Sequence, residues 1–174
     1  KKNLQKSYSI YGKAKLLSTK FLLNLNEKYN FPVTILRLYL VYGPYQDTNR
    51  LIPITIMNAI NNNKFSCSKG NQLRDFLYVD DLVNLIIKVL KSKNLNGEII
   101  NVGSGKPISV KKLILKICKL SKGGYPQFGK ISLRKDEILN LYPNLTKIKK
   151  KIKWSAKIDI EKGLNKTINY FTSL

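Results

Sequence analysis

The chain contains no histidine, and that absence alone removes several chemistries. A Ser-His-Asp triad, a Cys-His pair and a zinc site of the usual Cys/His kind cannot be assembled from it. Its two cysteines, Cys67 and Cys118, stand far apart in sequence and form neither a disulfide framework nor a metal-ligand pair, so no metal is expected. No apolar run approaches the ~20 residues that a membrane span needs. The start, KKNLQKSYS, lacks the apolar core of a signal peptide, and the cytoplasm is the expected compartment. Arginine is scarce too: only Arg37, Arg50, Arg74 and Arg134 stand among the 32 basic residues.

What the chain has in quantity is lysine, against only 10 acidic residues, for a formal net charge of +22. A balance of that size admits a lysine-rich nucleic-acid-binding module. The lysines are scattered along the whole chain, however, and KIKKKIK at 147–153 is the one dense run. Together with the Asn- and Ile-rich stretches such as NAINNNK, this is the composition an AT-biased genome writes on tolerant surface positions. Nucleic acid is therefore the alternative rather than the main reading. The 174 residues, 43% of them hydrophobic, suffice for a globular unit with a real core.

Strands and helices alternate over the first two thirds, and helices dominate the end. From Ser9 to Tyr29 the pattern is helical, with Ala14, Leu17, Phe21 and Leu25 on one face, and Asn30 and Pro32 end it. VTILRLYLVYG reads as one buried strand closed by Gly43-Pro44. LIPITIMNAI is a helix with Pro53 in its first turn. FSCS and RDFLYV are extended. Asp80 or Asp81 is expected to cap a helix whose Leu82, Leu85, Ile86 and Val89 form an apolar stripe. EIINVGSG is a strand running into a glycine turn, Ser109 caps the helix VKKLILKICKL, and the pattern loosens after Gly123-Gly124. Thr146 and Asp159 are the expected caps of two last helices.

Three features bear on chemistry. Tyr11 and Lys15 lie four residues apart, hence on one helix face, ~6 Å apart along the axis. A phenol acts as acid or base near neutrality only if its pKa falls from about 10, which takes roughly 4 kcal/mol, and a nearby ammonium pushes in that direction. With 10 tyrosines and 28 lysines in the chain, the spacing by itself also arises by chance. GSGKPIS at 103–109 is neither a P-loop, since Ile100 occupies the first glycine position, nor a dinucleotide turn, since Ile108 occupies the third; Gly103 and Gly105 read as turn residues. Arg74 and Arg134, retained where lysine is the default, point either to bidentate phosphate binding or to ordinary ion pairs, for Arg74 with Asp80 or Asp81.

The order of the segments is more specific than any one of them. YGKAK on a helix is followed by LRLYLVYGP, LIPITIMNAI, LRDFLYVDDL, IINVGSGKPISVKKL and finally LRKDEILNLYPNLTKIKKKIKW. Over essentially the whole chain this succession resembles the extended short-chain dehydrogenase/reductases, specifically the NAD-dependent nucleotide-sugar epimerases and dehydratases. The resemblance implies an α/β fold: the C-terminal part of a Rossmann-type parallel sheet plus a small, mostly helical substrate-binding domain. Residues 1–45 would be the remnant of the dinucleotide-binding domain and 46–174 mainly the substrate domain, with 74–105 packing back on the sheet. The family's Gly-rich turn, acidic ribose-binding residue and catalytic Ser/Thr would precede Lys1, so the chain is expected to be the second half of such an enzyme.

The resemblance also implies roles. Tyr11 would be the acid/base, and Lys15 would lower its pKa and hold the nicotinamide ribose. Tyr39, Leu40 and Val41 would line the NAD or NADP site. Asn49, Arg50, Arg74 and Arg134 would bind a nucleotide-diphosphate sugar, the last two clamping the diphosphate. The helix over 9–29 would be a homodimer face. Two departures concern substrate contacts: Ala14 stands where serine is frequent, and Arg50, beside Asn49, where asparagine is. A truncated gene product without activity is the remaining alternative.

Overall fold

The computed structural model describes residues 9–92, 94–134 and 136–174; the first eight residues of the expected 1–45 unit lie outside them. Helix α1 (Ile10–Tyr29) starts where Ser9 Oγ accepts from the Gly12 N–H and ends where Asn30 turns left-handed at φ 51°. The chain then doubles back as β1 (Thr34–Leu38) and β2 (Leu40–Tyr42). This is not the single ladder expected from VTILRLYLVYG. At Tyr39 the backbone switches partner: the Tyr39 N–H reaches Val102 O, and the Leu40 N–H reaches Asp75 O.

There follow α2 (Leu51–Ile60), β3 (Lys64–Cys67), β4 (Leu73–Arg74), β5 (Phe76–Tyr78), α3 (Val79–Leu90), β6 (Glu98–Val102), β7 (Ile108–Ser109) and α4 (Val110–Ser121). The chain closes with β8 (Tyr125–Phe128), β9 (Asn140–Leu141), α5 (Thr146–Ile152) and α6 (Ile160–Thr172). RDFLYV is split at Asp75 into β4 and β5. β8 and β9 emerge where the sequence pattern loosens, because each is specified by a distant partner rather than by its own periodicity.

Parallel pairing dominates. β1 pairs with β6 from Thr34↔Glu98 to Leu38↔Val102, β2 with β5, and β3 with β8. β4 lies between β7, antiparallel, and β9, parallel. Parallel strands bury both faces, and β5 shows why. Phe76 and Tyr78 point into one core with Tyr42, Ile52, Ile56, Leu113, Ile117, Leu164 and Ile168. Leu77, on the opposite side of the pleat, enters a second core with Leu82, Leu85, Ile100, Val102, Ile148 and Trp154. At ~1.5–3 kcal/mol for each large apolar side chain, these two clusters supply the main driving force. In α6, Gly163 admits Tyr42 and Tyr78: a methyl there would meet the Tyr42 hydroxyl and lie 2.9 Å from Tyr78 Cδ2.

Several local expectations are corrected. The α1 positions Ala14, Leu17 and Phe21 are exposed and Leu25 is half-buried; the other half-buried residues are Gly12, Leu16, Thr19, Leu22, Leu23 and Asn26, and no residue of the helix is buried. Tyr78, not Asp80 or Asp81, holds the N-cap position of α3, without a side-chain cap bond. Asp81 is buried instead and accepts the backbone N–H groups of Lys157 and Ile158, while Asp80 pairs with Lys166 at 3.2 Å. Ile86 faces outward. Thr146 is the first residue of α5, and its N–H is accepted by Asn144 Oδ1. Ser109 and Asp159 do cap α4 and α6, accepting from Lys112 and Lys162 N–H. No helix among the described residues is long and apolar enough to cross a membrane.

Candidate functional site

The short connection 30–33 folds β1 back along α1, so the start of the helix meets the carboxyl end of the strand. A cleft of about 590 Å³ opens between them, lined by Tyr11, Gly12, Lys15, Leu16, Ser18, Thr19 and Leu22 from the helix and by Ile35 to Leu38 from the strand. Tyr11 is 73% exposed at its mouth, and the Lys15 ammonium lies 5.5 Å from the centroid of the Tyr11 ring. The helical turn thus brings phenol and ammonium together on a surface open to a ligand. The two cleft hydroxyls are committed to the helix, Ser18 Oγ donating to Ala14 O and Thr19 Oγ1 to Lys15 O.

A second cleft, of about 410 Å³, shares Leu38 with the first and continues along Tyr39, Leu40, Val41 and Tyr42 to Gln46, Arg50, Leu51, Ile52 and Phe76. Of the predicted contact residues, Tyr39, Leu40, Val41 and Arg50 therefore meet in one concavity at the carboxyl ends of β1 and β2, where open parallel sheets bind ligands. Arg50 sits there because it occupies the N-cap position of α2. Asn49 is exposed, and its backbone N–H donates to Asp47 Oδ1; it does not line the cleft. Beside it, Tyr42 is buried, and burial together with the neighbouring Tyr78, Asp159 and Asp81 pushes its hydroxyl far above the ordinary tyrosine range, so it stays a neutral core phenol.

Arg74 and Arg134 line neither cleft. Arg74 is 7% exposed. Its guanidinium forms an ion pair with Glu137 and donates to the carbonyls of Leu73 and Leu139. The expected pairing with Asp80 or Asp81 is absent because both aspartates are engaged elsewhere. Arg134 is exposed, and its carbonyl accepts from the Glu137 N–H, so Arg74 anchors the segment that carries Arg134. Glu137 and Arg37, the latter half-buried in the first cleft, are the residues that sequence reasoning passed over. For Arg37, the scarcity of arginine was the available signal.

The GSG turn is occupied from within. Asp75, fully buried, accepts from the Ser104 N–H at 2.6 Å and the Gly105 N–H at 2.7 Å. A β-carbon at Gly103 would lie 2.8 Å from Asp75 Oδ1 and 2.5 Å from Pro143. A backbone nest able to hold an anion holds this carboxylate and ties β6 to β5, in keeping with the structural role read for these glycines. No group of three or more Cys, Asp or Glu suited to a metal occurs among the described residues.

Parallel strands, crossover helices and a phenol–ammonium pair at the carboxyl edge define an α/β protein of the Rossmann type. Residues 2–103 match the NAD dependent epimerase/dehydratase family, and the chain belongs to that family. It is 35% identical over 136 residues to CDP-abequose synthase of Salmonella muenchen, covering 77% of this chain and 46% of that protein. It is 30% identical over 168 residues to human dTDP-D-glucose 4,6-dehydratase, covering 92% and 47%. The crystal structure of UDP-glucose 4-epimerase with UDP-glucose from Thermotoga maritima superposes with a TM-score of 0.86 at 26% identity, over 97% of this chain and 55% of that one. The chain spans about half the length of the relatives it matches.

Proposed function

We propose that this chain forms part of a cytoplasmic nucleotide-sugar epimerase, dehydratase or 4-keto reductase that works by hydride transfer with NAD or NADP. The observation that carries the reading is family membership over 2–103, the span that holds Tyr11, Lys15, Tyr39–Val41, Asn49, Arg50 and Arg74. The residues at the cleft mouth suit the nicotinamide-ribose end of the dinucleotide: the Tyr11 O–H and the Lys15 ammonium offer donors to ribose hydroxyls. Bound there, the nicotinamide supplies the hydride exchange. Tyr11 moves the proton at the sugar hydroxyl or ketone, with the Lys15 ammonium beside its ring. Tyr39, Leu40 and Val41 form an apolar floor that excludes water. Asn49 and Arg50 position the sugar. Arg134 and Arg74 take the diphosphate, whose binding energy, remote from the reacting carbon, orients it for reaction. Glu137 now satisfies the Arg74 fork as a diphosphate oxygen would.

In this reading residues 1–45 serve the dinucleotide and 46–174 mainly the sugar nucleotide, and α1 is a candidate homodimer helix. The 174 residues alone turn nothing over; epimerase or reductase activity from them would refute that part. A thermal-shift panel tests the ligand class. UDP-, dTDP- or CDP-sugars at about 100 times Kd should stabilise the chain by ~2.7 kcal/mol, a rise of roughly 5–10 °C for this size. Steeply salt-dependent protection by duplex DNA, with none by nucleotide sugars, would favour the nucleic-acid alternative instead.

A further inference from the structure

The cleft along β2 contains one polar side chain whose hydrogen bonding the chain completes only by half. Gln46 reaches the cleft because the backbone turns left-handed at Tyr45, φ 63°, a conformation uncommon for a bulky residue. Two contacts hold that turn. The Tyr45 ring lies 4.6 Å from the Tyr170 ring of α6, centroid to centroid, and Gln46 Nε2 donates to Val41 O at 2.9 Å. A carbonyl only accepts, so this bond fixes the amide: the NH₂ faces Val41, and Oε1 is the atom on the other side. That oxygen is buried and accepts from no donor among the described residues. Strained backbone clusters at ligand sites, and a buried acceptor without a donor is costly.

The surroundings restrict what that donor is. Gln46 lines the cleft of about 410 Å³ together with Leu40, Val41, Leu51 and Ile52, and Arg50 is the one charged residue of the lining. An ammonium donor is repelled beside Arg50, and a phosphate dianion or a carboxylate has no proton to give Oε1. A group with apolar C–H faces and neutral O–H donors suits both the walls and the acceptor, and a hexose ring is such a group. Gln46 as a whole is half-buried, and the last torsion of a glutamine side chain is soft, so a small swing presents Oε1 to a sugar in the cleft.

We propose that Gln46 is a specificity-determining residue whose Oε1 accepts from one hydroxyl of the hexose in a nucleotide sugar. The proposal rests on the nucleotide-sugar reading and adds which sugars are favoured. A hydroxyl at the matching carbon completes the amide; a carbonyl or a hydrogen there leaves the acceptor unpaired, and such sugars bind more weakly.

Calorimetry of UDP, UDP-glucose and the monodeoxy analogues of UDP-glucose, each with the chain and with Gln46→Met, tests this. The wild type should bind UDP-glucose at least ~10-fold more tightly than one of the monodeoxy analogues. Gln46→Met should bind those two alike and keep the wild-type affinity for UDP. Equal affinity of the wild type for UDP-glucose and every monodeoxy analogue overturns the inference without recourse to the variant, and so does a Gln46→Met protein that discriminates as the wild type does. In either case UDP binding by the wild type leaves the nucleotide-sugar reading standing. A wild type that binds neither UDP nor UDP-glucose removes that reading and this inference with it.

Discussion

Replacing Asp75 by asparagine should be among the most damaging isosteric changes in the molecule. The Asp75 carboxylate is fully buried and receives two backbone donors, Ser104 N–H at 2.6 Å and Gly105 N–H at 2.7 Å. Hydrogen bonds to a charged acceptor contribute about 1.5–3 kcal/mol each. Asparagine keeps one oxygen acceptor but points an NH₂ at the other donor, so one bond is lost and a buried N–H is left facing hydrogens. The expected loss is ~2–4 kcal/mol. At 2–4 °C per kcal/mol for a chain of this size, the melting temperature falls by roughly 5–15 °C. Far-UV circular dichroism during heating, with urea titrations at unchanged m-value, reads it. A loss below ~0.5 kcal/mol would show that the turn does not depend on this carboxylate, and the account of the GSG segment would fall with it.

Other changes probe other contacts. Gly163→Ala drives a methyl against the Tyr42 hydroxyl and Tyr78 and should cost ~1–3 kcal/mol by overpacking, read by urea denaturation. Glu98 accepts from Lys147 at 2.5 Å and Lys151 at 2.9 Å, and these bonds hold its carboxyl below the ordinary glutamate range. The unfolded chain therefore binds the proton more readily, so the pair's contribution is present above the ordinary glutamate pKa of ~4.3 and is lost as pH falls through the lower folded value; Glu98→Gln should flatten the stability profile in that window. Glu137→Gln removes the charge that holds the Arg74 fork and should tighten UDP-glucose binding in a calorimetric titration, whereas Arg74→Met should weaken it at least ~10-fold.

The features legible in the sequence are those fixed within a few residues. Ser109 and Asp159 cap the helices they immediately precede, and Asn30 turns left-handed where α1 ends, because capping is chemistry over three or four positions. The order of segments carried the family for the same reason: each motif is contiguous. What stayed hidden depends on partners far along the chain. Asp75 finds the 104–105 amides and Arg74 finds Glu137, 63 residues away, and neither β8 nor β9 has an apolar pattern of its own. The face of α1 was misjudged for a different reason. Ala14, Leu17 and Phe21 form an apolar row that the described residues leave exposed, and periodicity reports only that a row needs covering. The split at Tyr39 was invisible since β1 and β2 lie in one largely apolar run with no turn residue between them, and only the separate partners β6 and β5 divide it.

The central claim is that Tyr11 and Lys15 handle the proton of a nucleotide-sugar hydride transfer. It is tested most directly by measuring kcat in the chain joined to the part of its relatives' length that it does not span, with NAD or NADP and a nucleotide sugar, for the wild type and Tyr11→Phe. The account predicts a fall of about 10²–10⁴-fold for Tyr11→Phe with KM for the sugar nucleotide little changed; a variant that turns over at the wild-type rate would contradict it.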